Sequence, residues 1–157
     1  MKVLLLWVGK TDFKFVGEGV KLYSERIKRY ISFEISEIKA LKNAKNLSSA
    51  QIKKIEGDEI LSNLQSTDYV VLLDEKGKEF TSTQFSTFMA SIANQRIKRL
   101  VFVIGGAYGF SDEVYEKARE KHSLSKMTYS HQLIRVIFLE QLYRSQTIIK
   151  GEPYHHD

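Results

Sequence analysis

Several groups of residues could do chemistry by their type and spacing. Gly9-Lys10-Thr11 follows an apolar run and invites comparison with a phosphate-binding Walker loop. That loop has the form Gly-x-x-x-x-Gly-Lys, which would put a glycine at Leu4, inside the run. A loop cannot begin there, and nucleotide hydrolysis is excluded. Gly105-Gly106-Ala107-Tyr108-Gly109 fails the Gly-x-Gly-x-x-Gly dinucleotide pattern in spacing. Two readings stay open for it: a tight turn at positive φ, or bare backbone that a ligand can approach. The histidines are His122, His131, His155 and His156, and none makes an established zinc spacing, so no metal is expected. Arg135, Glu140 and Arg144 interrupt a long apolar stretch near the C-terminus. Glu140 and Arg144 are one helical turn apart and can pair along one face. The pattern favours that ion pair; the alternative is projection into a pocket, where an arginine holds a phosphate or polarises a carbonyl. His155-His156-Asp157 reads as a frayed end, but Pro153, the only proline, and Tyr154 just before it suggest a tail with a set path.

Short apolar strands and helical stretches alternate, and these must position such residues. Met1 to Val8 reads as a buried strand, and Val16 to Arg29 as a helix with Val16, Val20, Tyr23 and Ile27 on one face. Phe33 to Ile38 alternates with period two, as a strand exposed on one side should. A loop from Lys39 to Leu47, rich in lysine and asparagine, leads to a helix whose start is marked by Ser48 with Gln51. Tyr69 to Leu73 is a further buried strand. Thr81 with Gln84 repeats the capping-box spacing and opens a helix to about Asn94. Leu100 to Ile104 is a strand, Ser111 can cap a helix over Asp112 to Lys121, and Leu124 to Thr128 is extended. From His131 a mostly apolar helix runs to about Ile149. The alternation predicts one α/β domain over residues 1–157, with a mostly parallel sheet flanked by helices. Ligands of such sheets sit beyond the carboxyl ends of the strands. The loops after Leu73, after Ile104 and around Leu124 to Tyr129 are therefore where chemistry is expected.

Composition narrows the class further. Of 157 residues, 43% are apolar and 27% charged, a globular rather than a disordered balance. No cysteine is present, which removes disulfides and thiolate metal sites. The apolar run at the start is too short for a signal peptide, and nothing approaches the roughly 20 apolar residues of a membrane span. A soluble, cytoplasmic protein is expected. The formal charge of +5 favours a polyanionic partner.

The segment Phe102 to Gly109 matches the glycine loop of the SPOUT methyltransferases. More narrowly, Leu124-Ser125-Lys126-Met127-Thr128-Tyr129-Ser130-His131-Gln132 resembles the ribosomal RNA large subunit methyltransferase H family. So do Arg135, the run Glu140 to Arg144, and the ending Gly151-Glu152-Pro153-Tyr154-His155. The resemblance covers the whole chain and is most specific in its last third. It implies a C-terminal trefoil knot, a homodimer, and S-adenosylmethionine as cofactor. The implied cofactor contacts are Leu73, Gly105 and Leu124, Ser125, Lys126, Met127, Thr128 and Tyr129. The implied reaction is methylation of N3 of a pseudouridine in 23S ribosomal RNA, on the assembled 70S ribosome.

Methyl transfer needs an in-line nucleophile, a water-free site, and a way to remove or offset the N3 proton. The candidate catalytic residues under the resemblance are His131, Glu140, Arg144, Tyr154 and His155. Arg144 would stabilise negative charge, and Tyr154 and His155 would contact the nucleotide; the proton acceptor stays open among the candidates. The tail is expected to complete the partner protomer's site. Two departures stand out: Ser130 where relatives usually have proline, and Phe110 where they usually have leucine. Ser130 is expected to loosen the loop over the cofactor, because proline restricts itself and its neighbour. Two other classes fit parts of the pattern. A noncatalytic ribosome-associated RNA-binding protein would explain charge and size, and a flavodoxin-like small-molecule binder would explain the α/β alternation. The first leaves the glycine loop without a purpose, and the second leaves the tail without one.

Overall fold

The structure is a computed structural model and describes residues 1–156; Asp157, the last residue of the expected tail, lies outside the described residues. Five parallel strands form one sheet in the order β2-β1-β4-β3-β5. They are β1 (Lys2–Val8), β2 (Ser32–Ile38), β3 (Tyr69–Glu79), β4 (Arg99–Ile104) and β5 (Glu120–Ser123). The helices are α1 (Lys14–Ile27), α2 (Ser49–Ser62), α3 (Ser82–Ala93), α4 (Asp112–Lys117) and α5 (Leu133–Lys150).

Alternation along the inner strands divides the core between the two faces of the sheet. Val3, Leu5 and Trp7 of β1 join Leu100, Phe102 and Ile104 of β4 and the α3 and α5 residues Phe85, Met89, Phe138, Leu139 and Leu142. Leu4, Leu6 and Val8 face the other way, with Val101, Val103, Ile60 of α2 and Val114 of α4. Burial on both faces is why β1 and β4 read as unbroken apolar runs. Both capping boxes form. Ser48 Oγ accepts from the Gln51 amide at 3.1 Å, and Thr81 Oγ1 accepts from the Gln84 amide at 3.1 Å. Each glutamine side chain accepts in return from its cap's backbone amide, at 2.8 and 2.9 Å.

Four expectations need correction. The helix expected over Asp112 to Lys121 ends at Lys117. Ala118 is already extended, and the Arg119 amide donates to Val70 O at 2.8 Å, carrying the chain onto the sheet. The strand expected over Leu124 to Thr128 therefore lies earlier, over Glu120–Ser123, and residues 124–128 form a loop. Ser111 occupies the N-cap position of α4 without a capping bond from its hydroxyl. That hydroxyl faces Gly57 of α2, where an added Cβ would come within 2.3 Å of it. The strand beginning at Tyr69 also runs on to Glu79 with a bulge: Leu73 and Lys78 both pair with His122, and residues 74–77 loop out between them.

The last helix starts two residues after His131, held by a cluster at its N-terminal end. Arg135 is fully buried, stacked at 4.7 Å over the Trp7 ring. Its guanidinium donates to Val8 O at 2.9 Å, Gly9 O at 3.1 Å, Thr11 Oγ1 at 2.8 Å and His131 O at 3.1 Å. Beside it, Gln132 accepts from the Asp12 amide at 3.0 Å and donates to Lys10 O at 2.8 Å. These bonds tie the loop after β1 to the entrance of α5. Burial pushes the Arg135 pKa down, while Glu37 and Asp12 act to restore it. Arg135 is thus a structural anchor. Gly9-Lys10-Thr11, the segment compared with a Walker loop, is held by Arg135 at Gly9 O and Thr11 Oγ1 and by Gln132 at Lys10 O.

Candidate active site

The carboxyl ends of β3, β4 and β5 open into one cleft of about 760 Å3. Its walls come from the bulge after Leu73, the glycine loop Gly105–Phe110, and the stretch from His122 to His131. A volume of this order suits a nucleoside-sized ligand. The glycine loop is shaped by what surrounds it. A Cβ at Gly105 would come within 3.0 Å of the Phe110 ring, and one at Gly106 within 2.3 Å of Glu56 Oε2. Gly109 has φ +78 and returns its amide to Gly106 O at 3.2 Å, closing the turn. The turn is tight, and it lines the cleft with bare backbone.

The opposite wall is held by its own serines and by the bulge. Ser123 Oγ donates to Ser125 O at 2.8 Å, and Ser125 Oγ accepts from the Met127 amide at 2.9 Å. Thr128 donates to Glu75 Oε2 at 3.1 Å, joining loop to bulge. Ser130 Oγ accepts from the Leu133 amide at 3.2 Å, and Ser130 O accepts from the Ile134 amide at 3.0 Å. A proline could not supply that hydroxyl. The expectation of a looser loop at Ser130 therefore meets a compensating cap at the entrance to α5. Phe110, the other departure, is buried edge-on to Tyr115 with ring centroids 5.7 Å apart.

Of the expected cofactor contacts, Leu73, Gly105, Leu124, Ser125, Met127, Thr128 and Tyr129 line the cleft, and so does His131. Lys126 does not; its side chain is exposed outside the lining. Asp74, Glu75 and Lys76, in the loop expected after Leu73 but not named individually, also line it, as do Tyr115, His122 and Ser123, which sequence reasoning did not place there. The charged run after Leu73 was the available signal, since it breaks an otherwise apolar strand. His122 is 2% exposed and ringed by Phe80, Phe85, Phe88 and Phe102. Its Nε2 meets Glu120 Oε2 at 2.9 Å, and its Nδ1 is buried without a hydrogen-bond partner among the described residues. Burial lowers the His122 pKa against the opposing pull of Glu120. Glu56 Oε2 is the other such orphan, and burial raises that carboxyl's pKa.

The remaining candidates gather at the far end of α5. Glu140 Oε1 accepts from Arg144 Nε at 3.0 Å, from Nη2 at 2.5 Å and from the Tyr154 hydroxyl at 3.1 Å. Glu140 Oε2 accepts from Gln141 at 2.8 Å. The ion pair favoured by spacing is thus present, and the tail wraps it. Gly151, at φ +68, ends the helix, and the Glu152 amide returns to Thr147 O at 2.9 Å. Tyr30 then donates to Glu152 Oε2 at 2.5 Å, tying the tail to the turn after α1. Tyr154 packs against Tyr143 with centroids 4.7 Å apart, and Arg144 lies 4.7 Å over its ring. Arg144 Nη1 stands 3.2 Å from His155 Nδ1. A guanidinium only donates, so Nδ1 is the accepting nitrogen there. Hydrogen bonding to Glu140 raises the Arg144 pKa. Burial, then hydrogen bonds with Tyr23 and Glu140, hold the Tyr154 phenol far above its ordinary range. The set path expected for the tail is what the described residues follow.

Cleft and cluster stand apart within one chain. Ile134 lines the cleft, and Arg144 lies ten residues along α5, roughly 15 Å at the helical rise.

Comparison with known proteins adds to this geometry. The family model described as "Predicted SPOUT methyltransferase" matches residues 1–155. A protein of Parabacteroides distasonis named ribosomal RNA large subunit methyltransferase H is 57% identical over 157 residues, covering all of both chains. Proteins of the same name from Christiangramia forsetii and Bacteroides thetaiotaomicron are 54% and 52% identical, over 99% and 100% of both chains. The glycine loop, the cleft it lines and the full-length match agree: the chain belongs to the SPOUT methyltransferase family, in the group of these large subunit methyltransferase H proteins.

Proposed function

We propose that the protein methylates N3 of a pseudouridine in 23S ribosomal RNA on the assembled ribosome, in the cytoplasm, with S-adenosylmethionine as methyl donor. The observation that carries the reading is the cleft where Gly105–Phe110 and His122–His131 meet beyond the strand ends. The names of the full-length relatives support ribosomal RNA as substrate. The cofactor fits what lines the cleft. The volume suits it, the glycine loop lines the cleft, and the buried His122 Nδ1 is a polar atom awaiting a partner.

When bound, S-adenosylmethionine supplies an electrophilic methyl group on sulfur. Leu73, the backbone of Gly105, and residues 124, 125 and 127–129 would hold it, with the aromatic and apolar lining excluding water. Arg144 stabilises the negative charge that develops as the N3 proton leaves. Glu140 is fully engaged by Arg144, Gln141 and Tyr154, so it orients the guanidinium and does not take the proton. Tyr154, held far toward its phenol form, serves as a hydrogen-bond donor. His155 Nδ1 is occupied by Arg144, which leaves His131, in the cleft, as the proton acceptor.

The separation of cluster and cleft supports a homodimer in which each tail completes the other protomer's cleft. The trefoil threading of the C-terminal segment belongs to the same reading. Its support is the match to the SPOUT family over residues 1–155.

The test is methyl transfer from labelled S-adenosylmethionine to 70S ribosomes isolated from a strain lacking the gene. Label mapping to a pseudouridine of 23S rRNA is the expected result. No incorporation by folded protein would overturn the reading and favour a noncatalytic RNA-binding role. If Arg144→Ala and His155→Ala both kept full activity, the roles given to those residues would be wrong.

A further inference from the structure

A second cavity, of about 460 Å3, opens beside the cleft and shares Asp74, Lys76 and Tyr115 with it. Its other walls are Ala118, Arg119, Glu120 and Lys121. It lies along β5, the edge strand of the sheet. Three cations and two carboxylates face it, but their states differ. Asp74 Oδ2 accepts from the Tyr115 hydroxyl at 2.5 Å, and its Oδ1 accepts from the Lys76 amide at 2.8 Å. Glu120 accepts from the Tyr69 hydroxyl through one oxygen and meets His122 at 2.9 Å through the other. Both carboxylates are thus already engaged by neighbouring groups. Among the described residues, Lys76, Arg119 and Lys121 make no ion pair, and all three side chains are exposed. Lys121 lies over the Tyr115 ring, its Nζ 5.5 Å from the centroid.

Protection of an edge strand would explain a lysine on β5. It does not explain three cations converging on a concave site whose two carboxylates are already hydrogen-bonded to neighbours. We propose that this cavity binds backbone phosphates of the RNA strand whose nucleotide enters the adjoining cleft. This rests on the reading of the protein as an RNA methyltransferase. Arg119 offers a planar fork for two phosphate oxygens, while Lys76 and Lys121 act as mobile point charges. Because Lys76 belongs to both cavities, a phosphate held there is a near neighbour of the reacting base. Contacts to phosphate oxygens position the strand without reading its sequence.

The test compares wild type with Arg119→Ala/Lys121→Ala, using ribosomes from a strain lacking the gene as substrate. KM for ribosomes is measured across a series of KCl concentrations, and affinity for S-adenosylmethionine by calorimetry. The variant is expected to raise KM about tenfold at low salt with kcat and cofactor affinity retained. The slope of log KM against log salt should fall by about 1 for each contact removed. Arg119→Lys/Lys121→Arg keeps the charge and should keep the slope. An unchanged KM and slope in the alanine variant would overturn the site. So would lost cofactor affinity at constant KM, which would assign the cavity to the cofactor, or conversion of a dimer to monomer, which would assign it to a second copy. An active wild type with an unaffected variant sinks this site alone. A wild type that methylates no ribosomal RNA sinks the functional reading as well.

Discussion

Arg144 is held on three sides, by Glu140 along the helix, by the Tyr154 ring beneath it and by His155 beyond. Its orientation thus depends on a neighbour that has no direct part in the chemistry. Glu140→Gln keeps the shape of that neighbour and removes its charge. We expect kcat to fall by about tenfold, with the KM for S-adenosylmethionine unchanged, as measured by steady-state methyl transfer. His122 makes a different prediction. Its folded-state pKa is depressed below 6.5, chiefly by burial, so below that pH the unfolded chain binds a proton that the folded one resists. Stability is therefore fully present above about pH 6.5 and declines as pH falls through the folded value. Urea unfolding at pH 7.5 and 5.5 should show a larger loss for wild type than for His122→Phe; equal losses would remove the assignment. At this scale the sequence was legible where a residue's role follows from local spacing, as in the Glu140–Arg144 pair. It was silent on Arg135, because an arginine in an apolar helix looks the same whether it faces a ligand or a row of carbonyls.

The bulge in β3 is the element that most shapes the cleft. It sends Asp74, Glu75 and Lys76 into the lining while the strand on either side pairs with His122. Gly77 lets the bulge lie flat on β5, since a Cβ there would come within 2.6 Å of the His122 backbone. Backbone cannot step aside as a side-chain end can. Gly77→Ala is expected to cost about 1–3 kcal/mol in urea unfolding and to weaken cofactor binding in calorimetry. Loss of neither would mean the bulge tolerates displacement. Elements with a local signature were readable: the capping boxes at Ser48 and Thr81 formed, and the apolar runs of β1 and β4 became inner strands. The bulge and β5 were not. Glu120-Lys121-His122-Ser123 carries no apolar alternation, and it is a strand because its backbone completes a ladder with β3. That is a tertiary cause, invisible to a local pattern.

For the whole molecule, the proposed exchange of tails makes each active site a product of two chains. A variant lacking the tail function, Arg144→Ala, and one with an obstructed cleft, Gly105→Val, should each be inactive alone. Mixed as equal amounts of reassociated subunits, they form heterodimers with one intact site, and about a quarter of wild-type activity should return. No recovery, with heterodimers confirmed by mass spectrometry, would place each complete site within one chain. The order of the strands was equally beyond the sequence, which fixed their direction through alternation with helices but not their neighbours. That order has a consequence during synthesis. β1 pairs on one side with β2, which emerges soon after it, and on the other with β4, through Lys2 opposite Arg99. Until β4 leaves the ribosome, the most apolar strand of the chain waits with one edge bare. Nascent chains halted before Leu100 should therefore be the ones that need a chaperone and aggregate without it, while the chain with both β4 and α5 in place closes its centre unaided.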